Sequence, residues 1–212
     1  FDEMQKMIEN DLCSGTYDGI VISPLQSDTA AQLVSGTKLP IVAIDTNFTA
    51  PEVKSFVGTG NEAAAKKGGE AAVEAAKAAG WTDIKCIEIA GVQGDQTNTA
   101  RMNGYKAGVE EAGGEVVEVQ YCDGLAEKAA TAMESVMQMY PDGIDIVLSS
   151  NDDMAMSVSR SSRTPAMPSM PIPSCAALTA IPPLSPLSRT VRSAWISPCS
   201  VTTWAIRQWK LR

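Results

Sequence analysis

The chain is 212 residues long, 44% hydrophobic and 20% charged, with a formal net charge of −8, which fits one large or two small globular domains and excludes a fibrous or disordered polymer. Histidine is absent, which removes Ser-His-Asp and Cys-His nucleophile pairs, His-Glu-x-x-His zinc sites and imidazole proton shuttles. The five cysteines, Cys13, Cys86, Cys122, Cys175 and Cys199, lie far apart without C-x-x-C spacing and read as small apolar packing residues rather than a zinc ribbon or a redox pair.

In chain order, Phe1, Met4, Met7, Ile8 and Leu12 recur at helical spacing and Gly15 stops the helix. The start at Phe1-Asp2-Glu3 is neither an initiator nor a signal peptide, so the natural N-terminus is expected to lie upstream. Gly19-Ile20-Val21-Ile22-Ser23 is a short apolar run bounded by Asp18 and Pro24, which predicts a strand buried on both faces. Ser27 and Asp28 are placed to cap a helix running to Val34, Gly36 closes it, and Ile41 to Ile44 is a second buried strand ending at Asp45. A short strand follows near Ser55 to Gly58, then an Ala-rich helix from Asn61 to Ala79, and a strand from Ile84 to Ile89. After the loop Ala90 to Thr99 come a helix to Ala112, a strand Glu115 to Tyr121, a helix Ala126 to Tyr140 and a strand Ile144 to Leu148. Strands alternating with helices of this length predict an α/β protein with doubly wound parallel sheets, covered on both sides.

Three motifs are weighed and set aside. The stretch Asn61 to Glu70 lacks the G-x-x-x-x-G-K-[ST] order of a phosphate loop and reads as a helix packed tightly on the sheet at Gly68 and Gly69. Gly91-Val92-Gln93-Gly94 has no third glycine at dinucleotide spacing, and Ser35-Gly36-Thr37-Lys38 lacks the companions of a serine acyl-enzyme site. No cofactor or metal is expected.

The composition breaks near residue 154. Residues 1 to 153 carry 10 basic and 25 acidic residues, whereas 154 to 212 carry 7 basic and no acidic ones; all 16 glycines fall before the break and 8 of the 12 prolines after it. Most amino acids fix the first two bases of their codon, so each displayed residue constrains the last two bases of a codon in the frame one base earlier. In that frame the stretch from Arg160 permits K-I-I-K-D-A-G-N-A-K-Y-A-D-T-I-L-C-G-F-D-G-N, restoring acids, glycines and periodicity. Trp195 to Arg212 permits M-D-I-A-L-Q-R-N-D-M-G-Y-K-A-V-E-A-A. The tail 159–212 is therefore expected to be out of frame, through a slip between Val158 and Arg160, with no native fold.

The polar residues that matter stand where loops leave the carboxyl ends of strands, the edge at which open α/β sheets bind ligands. Asp45 follows the second strand, Arg101 follows the long Ala90 to Thr99 loop, and Asn151 with Asp152 follows Leu148. Singly, each has a plainer role: Asp45 in a turn, Arg101 on a solvated helix face, Asn151 or Asp152 as a helix N-cap. Together a carboxylate acceptor, a forked cation and an amide form the set that satisfies several hydroxyls, and nothing supplies a nucleophile with a base.

Tyr17 to Pro24, Leu39 to Asp45, Thr99-Ala100-Arg101 with Gly104, and Ser150-Asn151-Asp152-Asp153-Met154-Ala155 together resemble the ribose-binding branch of the type I periplasmic sugar-binding proteins. The resemblance implies a two-lobed fold, incomplete in this chain: 1–58 a remnant of the N-terminal lobe, 59–158 most of the C-terminal lobe. It further implies a sugar ABC transporter component, not an enzyme, that binds a monosaccharide between its lobes and hands it to a permease in the inner membrane. Such a protein is a monomer, periplasmic or held outside the membrane, with no nucleic-acid partner. By the same likeness Asp45, Arg101 and Asn151 are ligand contacts. Thr46 stands where ribose binders carry an arginine, and no aromatic occupies Asp123 to Leu125, so the resemblance does not single out ribose. With part of the site missing, the displayed chain is expected to bind sugar weakly or not at all. The competing reading is the effector domain of a lac-repressor-type regulator, which shares the fold; the acidity of residues 1 to 153 argues against phosphate contact by this portion.

Overall fold

The structure is a computed structural model that describes residues 2–162, 176–177 and 202–205. They form two compact units, one of Phe1–Gly60 with Val92–Ala100 and one of Asn61–Gly91 with the described residues from Arg101 onward.

The first unit holds α1 (Asp2–Cys13), β1 (Ile20–Ile22), α2 (Ser27–Leu33), β2 (Ile41–Ile44) and β3 (Val53–Val57). The strands pair in parallel in the order β1-β2-β3, with Ile20 opposite Ile41, Ile22 opposite Ala43, and Ile44 opposite Val57. Side chains alternate across a strand, so Ile22, Ile41 and Ala43 share one face, where they pack with Ile8 of α1, Ala30 of α2, Val34 and Phe48. The opposite face departs from the expected double burial: Val21 is 65% and Val57 59% exposed, and Ile44 is exposed beside them. The reason is that α1 and α2 both feed the same core, so among the described residues no helix covers the other side.

The capping expectation for α2 is also corrected. Its N-cap is Gln26, with no side-chain cap bond. Ser27 is fully buried and its hydroxyl is engaged elsewhere, donating to the Asn47 carbonyl at 2.8 Å and accepting from the Gln96 amide at 3.1 Å. A buried hydroxyl with two long-range partners fixes the loop after β2 rather than its own helix.

The second unit holds α3 (Asn61–Ala78), β4 (Lys85–Ala90), most of α4 (Gln96–Glu111), β5 (Glu115–Tyr121), α5 (Ala126–Met139), β6 (Ile146–Ser149) and α6 (Asp152–Ser161). Two short strands, β7 (Ala176–Ala177) and β8 (Thr202–Ala205), complete a sheet of order β5-β4-β6-β8-β7. β5, β4 and β6 run parallel, and β8 is antiparallel to β6. The remainder of the tail expected to be out of frame lies outside the described residues.

Here both faces are covered. Ala65, Ala72 and Val73 of α3 and Tyr105 and Val109 of α4 pack with Cys86, Ile146 and Leu148 on one side. Ala129, Met133 and Val136 of α5 and Met154, Ala155 and Val158 of α6 pack with Ile87, Ile89 and Val147 on the other. The glycine expectation changes partner: a methyl at Gly69 would come 2.7 Å from the Tyr105 carbonyl, so its bare Cα admits α4, not the sheet. Gly104 and Gly108 return the contact, because added methyls there would overlap the carbonyls of Glu62 and Lys66. α3 and α4 thus meet along a glycine seam, backbone against backbone. Lys66 bridges the same helices through Glu111, which raises its pKa.

Candidate functional site

The chain leaves β4 toward α4 on one face and leaves β6 toward α6 on the other. With β4 and β6 adjacent, the loops diverge at their carboxyl ends, the switch-point geometry that opens a crevice in an α/β sheet. Arg101 and Asn151 both lie at this edge. Arg101 Nη1 donates to the Ser150 carbonyl at 2.6 Å, and its Nε donates to Asn61 Oδ1 at 2.9 Å. One turn along α4, the Tyr105 hydroxyl donates to the Ser149 carbonyl at 3.2 Å, so α4 grips the end of β6 at two successive peptides. Arg101 is half-buried, and its Nη2 makes no hydrogen bond among the described residues.

Asn151 is the N-cap of α6: its Oδ1 accepts from the Met154 amide at 2.9 Å, satisfying one of the orphan donors of the first turn. Its Nδ2 donates to the Gly124 carbonyl at 3.1 Å, tying the loop after β5 to the loop after β6. That loop turns through Asp123 at φ 52° and Gly124 at φ 75°, left-handed values that aspartate tolerates and glycine prefers. Lys128 pairs with Asp123 at its rim. The plainer role weighed for Asn151 is thus present in the structure, and one amide hydrogen and one carbonyl lone pair remain for further contacts.

Asp45 belongs to the first unit. It also adopts a left-handed conformation, φ 61°, at the end of β2; its amide donates to the Val57 carbonyl at 2.9 Å and its carbonyl accepts from Thr97 Oγ1 at 3.3 Å. The backbone is held while the carboxylate is exposed, with no partner among the described residues. The structure brings Arg101 and Asn151 together within the second unit.

Sequence reasoning passed over Asn61, Ser150 and Gly124, which orient Arg101 and Asn151. Asn61 left a trace as a cap-type residue at the start of an Ala-rich helix, and Ser150 as the first residue of the Ser150 to Ala155 motif. It also passed over Glu88, a carboxyl inside the apolar run of β4. Glu88 is 3% exposed, its Oε1 has no partner among the described residues, and burial pushes its pKa up to about 8, with Lys106 opposing that rise and Glu110 adding to it. Burial likewise pushes Cys86 to about 12 and Cys122 to about 11, which leaves both thiols protonated and inert. Among the described residues no group of three or more acidic or thiol side chains could hold a metal ion, and no helix is long and apolar enough to cross a membrane.

A parallel α/β unit with a switch point at its strand ends is an architecture in which small-molecule sites form. The chain belongs to the periplasmic binding protein domain family, which matches residues 2–178, and its fold is the type I periplasmic binding protein fold, present here in part. It is 27% identical over 148 residues to the ribose import binding protein of Salmonella typhimurium, covering 68% of this chain and 48% of the relative. The chain therefore spans about half the length of the curated relatives it matches. Among solved structures it is similar to an ABC transporter solute binding protein from Mycobacterium smegmatis with bound glycerol, at 28% identity and TM-score 0.66, covering 76% of this chain and 55% of that one. A carbohydrate transporter solute binding protein from Agrobacterium radiobacter in complex with D-arabinose matches at 25% identity and TM-score 0.66, with the same two coverages of 76% and 55%.

Proposed function

We propose that this chain is part of the solute-binding component of a sugar ABC transporter, which holds a monosaccharide reversibly in a cleft between two lobes and passes it to a membrane permease. The observation that carries the reading is the placement of Arg101 and Asn151 at the switch point of the second unit, each anchored by a backbone carbonyl, with no nucleophile–base pair beside them among the described residues. In this reading Asp45 accepts from sugar hydroxyls, Arg101 donates to ring or hydroxyl oxygens, and Asn151 does both through the hydrogen-bonding capacity its cap leaves over. A site on residues 1–58 and 59–158 as two lobes favours closure only because the sugar is touched from both. The protein acts outside the inner membrane as a monomer without catalysis. The effector-domain alternative is not favoured, since the curated relatives are ribose import binding proteins.

The test is an NMR titration of the chain with D-ribose, D-arabinose and D-fucose, following the side-chain resonances of Arg101 and Asn151. Weak, fast-exchange shifts at both residues are expected, with the Asn151 shift lost in Arg101→Lys. Sugar-induced shifts that fall on residues away from both, or that are unchanged by Arg101→Lys, refute the reading.

A further inference from the structure

We propose that Asn61 is a positioning residue for the sugar site: its amide oxygen locks the guanidinium of Arg101 in the orientation that meets the ligand. The inference rests on the reading of Arg101 as a sugar contact, and it adds a residue that neither the sequence motifs nor that reading assigns.

The argument begins with the freedom of the side chain. An arginine carries about 2 kcal/mol of rotamer entropy, and a group that must first be ordered by its ligand charges that ordering to the binding energy. Arg101 is ordered beforehand. Its Nε donates to Asn61 Oδ1 at 2.9 Å and its Nη1 to the Ser150 carbonyl at 2.6 Å, one acceptor on α3 and one in the loop after β6. Because the guanidinium is planar, fixing Nε and one Nη fixes the whole fork. Nη2 is then the group held ready, and it makes no hydrogen bond among the described residues.

Asn61 suits the task by its own fixation. It is the first residue of α3, only 6% exposed, and the next residue, Glu62, presents the carbonyl against which Gly104 of α4 packs. Arg101 lies one turn before Gly104 on that same helix. Donor and acceptor are therefore mounted on two helices whose separation is set by main-chain contact, which a flexible surface pair lacks. A neutral amide also leaves the charge of Arg101 uncancelled, whereas a carboxylate would form an ion pair and compete with ligand oxygens.

The experiment compares the chain with Asn61→Leu and Asn61→Asp. Hydrogen exchange at Arg101 Nε is measured by NMR, followed by titration with D-ribose and D-arabinose; circular dichroism and the urea midpoint report the fold. Asn61→Leu is expected to speed Nε exchange and weaken sugar binding about tenfold, the loss of one hydrogen bond to a charged group. Asn61→Asp, which restores an acceptor, is expected to recover the slow exchange. Unchanged exchange in Asn61→Leu overturns the proposal, as does faster exchange with unaltered affinity. Should Asn61→Leu lose its fold, the proposal stands on Asn61→Ala measured the same way. Failure of the sugar reading is distinct: sugar-induced shifts in the unmodified chain then bypass Arg101, whatever its exchange rate.

Discussion

Glu88 sets up a pH dependence of stability whose sign is opposite to that of an ordinary paired carboxylate. Its pKa rises from the usual 4.5 to about 8 on folding, because the side chain is buried in β4, where its Oε1 has no partner among the described residues. Below about 4.5 the group is protonated in folded and unfolded chains alike and contributes nothing. Between about 4.5 and about 8 the folded chain keeps a proton that the unfolded chain releases, so stability falls as pH rises; above about 8 both forms are charged and the loss is complete. At about 1.4 kcal/mol per tenfold in proton affinity, the penalty is on the order of 5 kcal/mol. Glu88→Gln removes the titration while keeping the shape of the side chain. Urea unfolding followed by circular dichroism at pH 5, 6.5 and 8 measures both proteins, and the difference between them isolates this group from every other carboxylate. The variant is expected to gain on the parent steadily with pH, by several kcal/mol at pH 8. A difference independent of pH, or one that shrinks as pH rises, refutes the argument.

Three further outcomes follow from packing and capping. Gly108→Ala forces a methyl onto the Lys66 carbonyl and is expected to cost about 1–3 kcal/mol in thermal unfolding, whereas Gly60→Ala, with open space around it, should be near neutral. Asn151→Ala removes the α6 cap and the Gly124 bond together and should cost about 1–2 kcal/mol, with Asn151→Ser recovering the cap share but not the tie to the β5 loop. Ser27→Ala strands the Gln96 amide and is expected to cost about 1–3 kcal/mol and to speed hydrogen exchange at that amide.

Much of the fold was legible because each strand is an apolar run bracketed by turn residues; β5 runs from Glu115 to Tyr121, as its pattern predicts, and Gly15, Gly36, Gly80 and Gly113 all take the positive φ of helix-ending turns. What could not be read are the relations that depend on distant neighbours. The local sequence offers Ser27 as a cap, and only Gln96, 69 residues away, shows why its hydroxyl is used otherwise. The apolar run of β1 implies two covered faces, yet coverage depends on where helices land, and in the first unit both land on one side. For the site, Arg101 and Asn151 were visible as polar residues at strand ends. Their fastenings were not, since the bond from Arg101 to Asn61 spans 40 residues and the bond from Asn151 to Gly124 spans 27. Glu88 gives the same lesson inside the sheet: a charged letter among apolar ones marks an anomaly, and only its surroundings reveal that its Oε1 has no partner among the described residues.

The glycine seam between α3 and α4 has a bearing on how this protein could diverge. Where two helices touch through side chains, a swap of one residue can be absorbed by another, and the gap between them drifts over time. Here the gap is set by peptide groups that cannot be exchanged, so the mounting of Asn61 and Arg101 is insulated from most sequence change around it. Specificity for a different solute would then arise from the loops facing that mount, with the mount itself retained as a fixed yardstick.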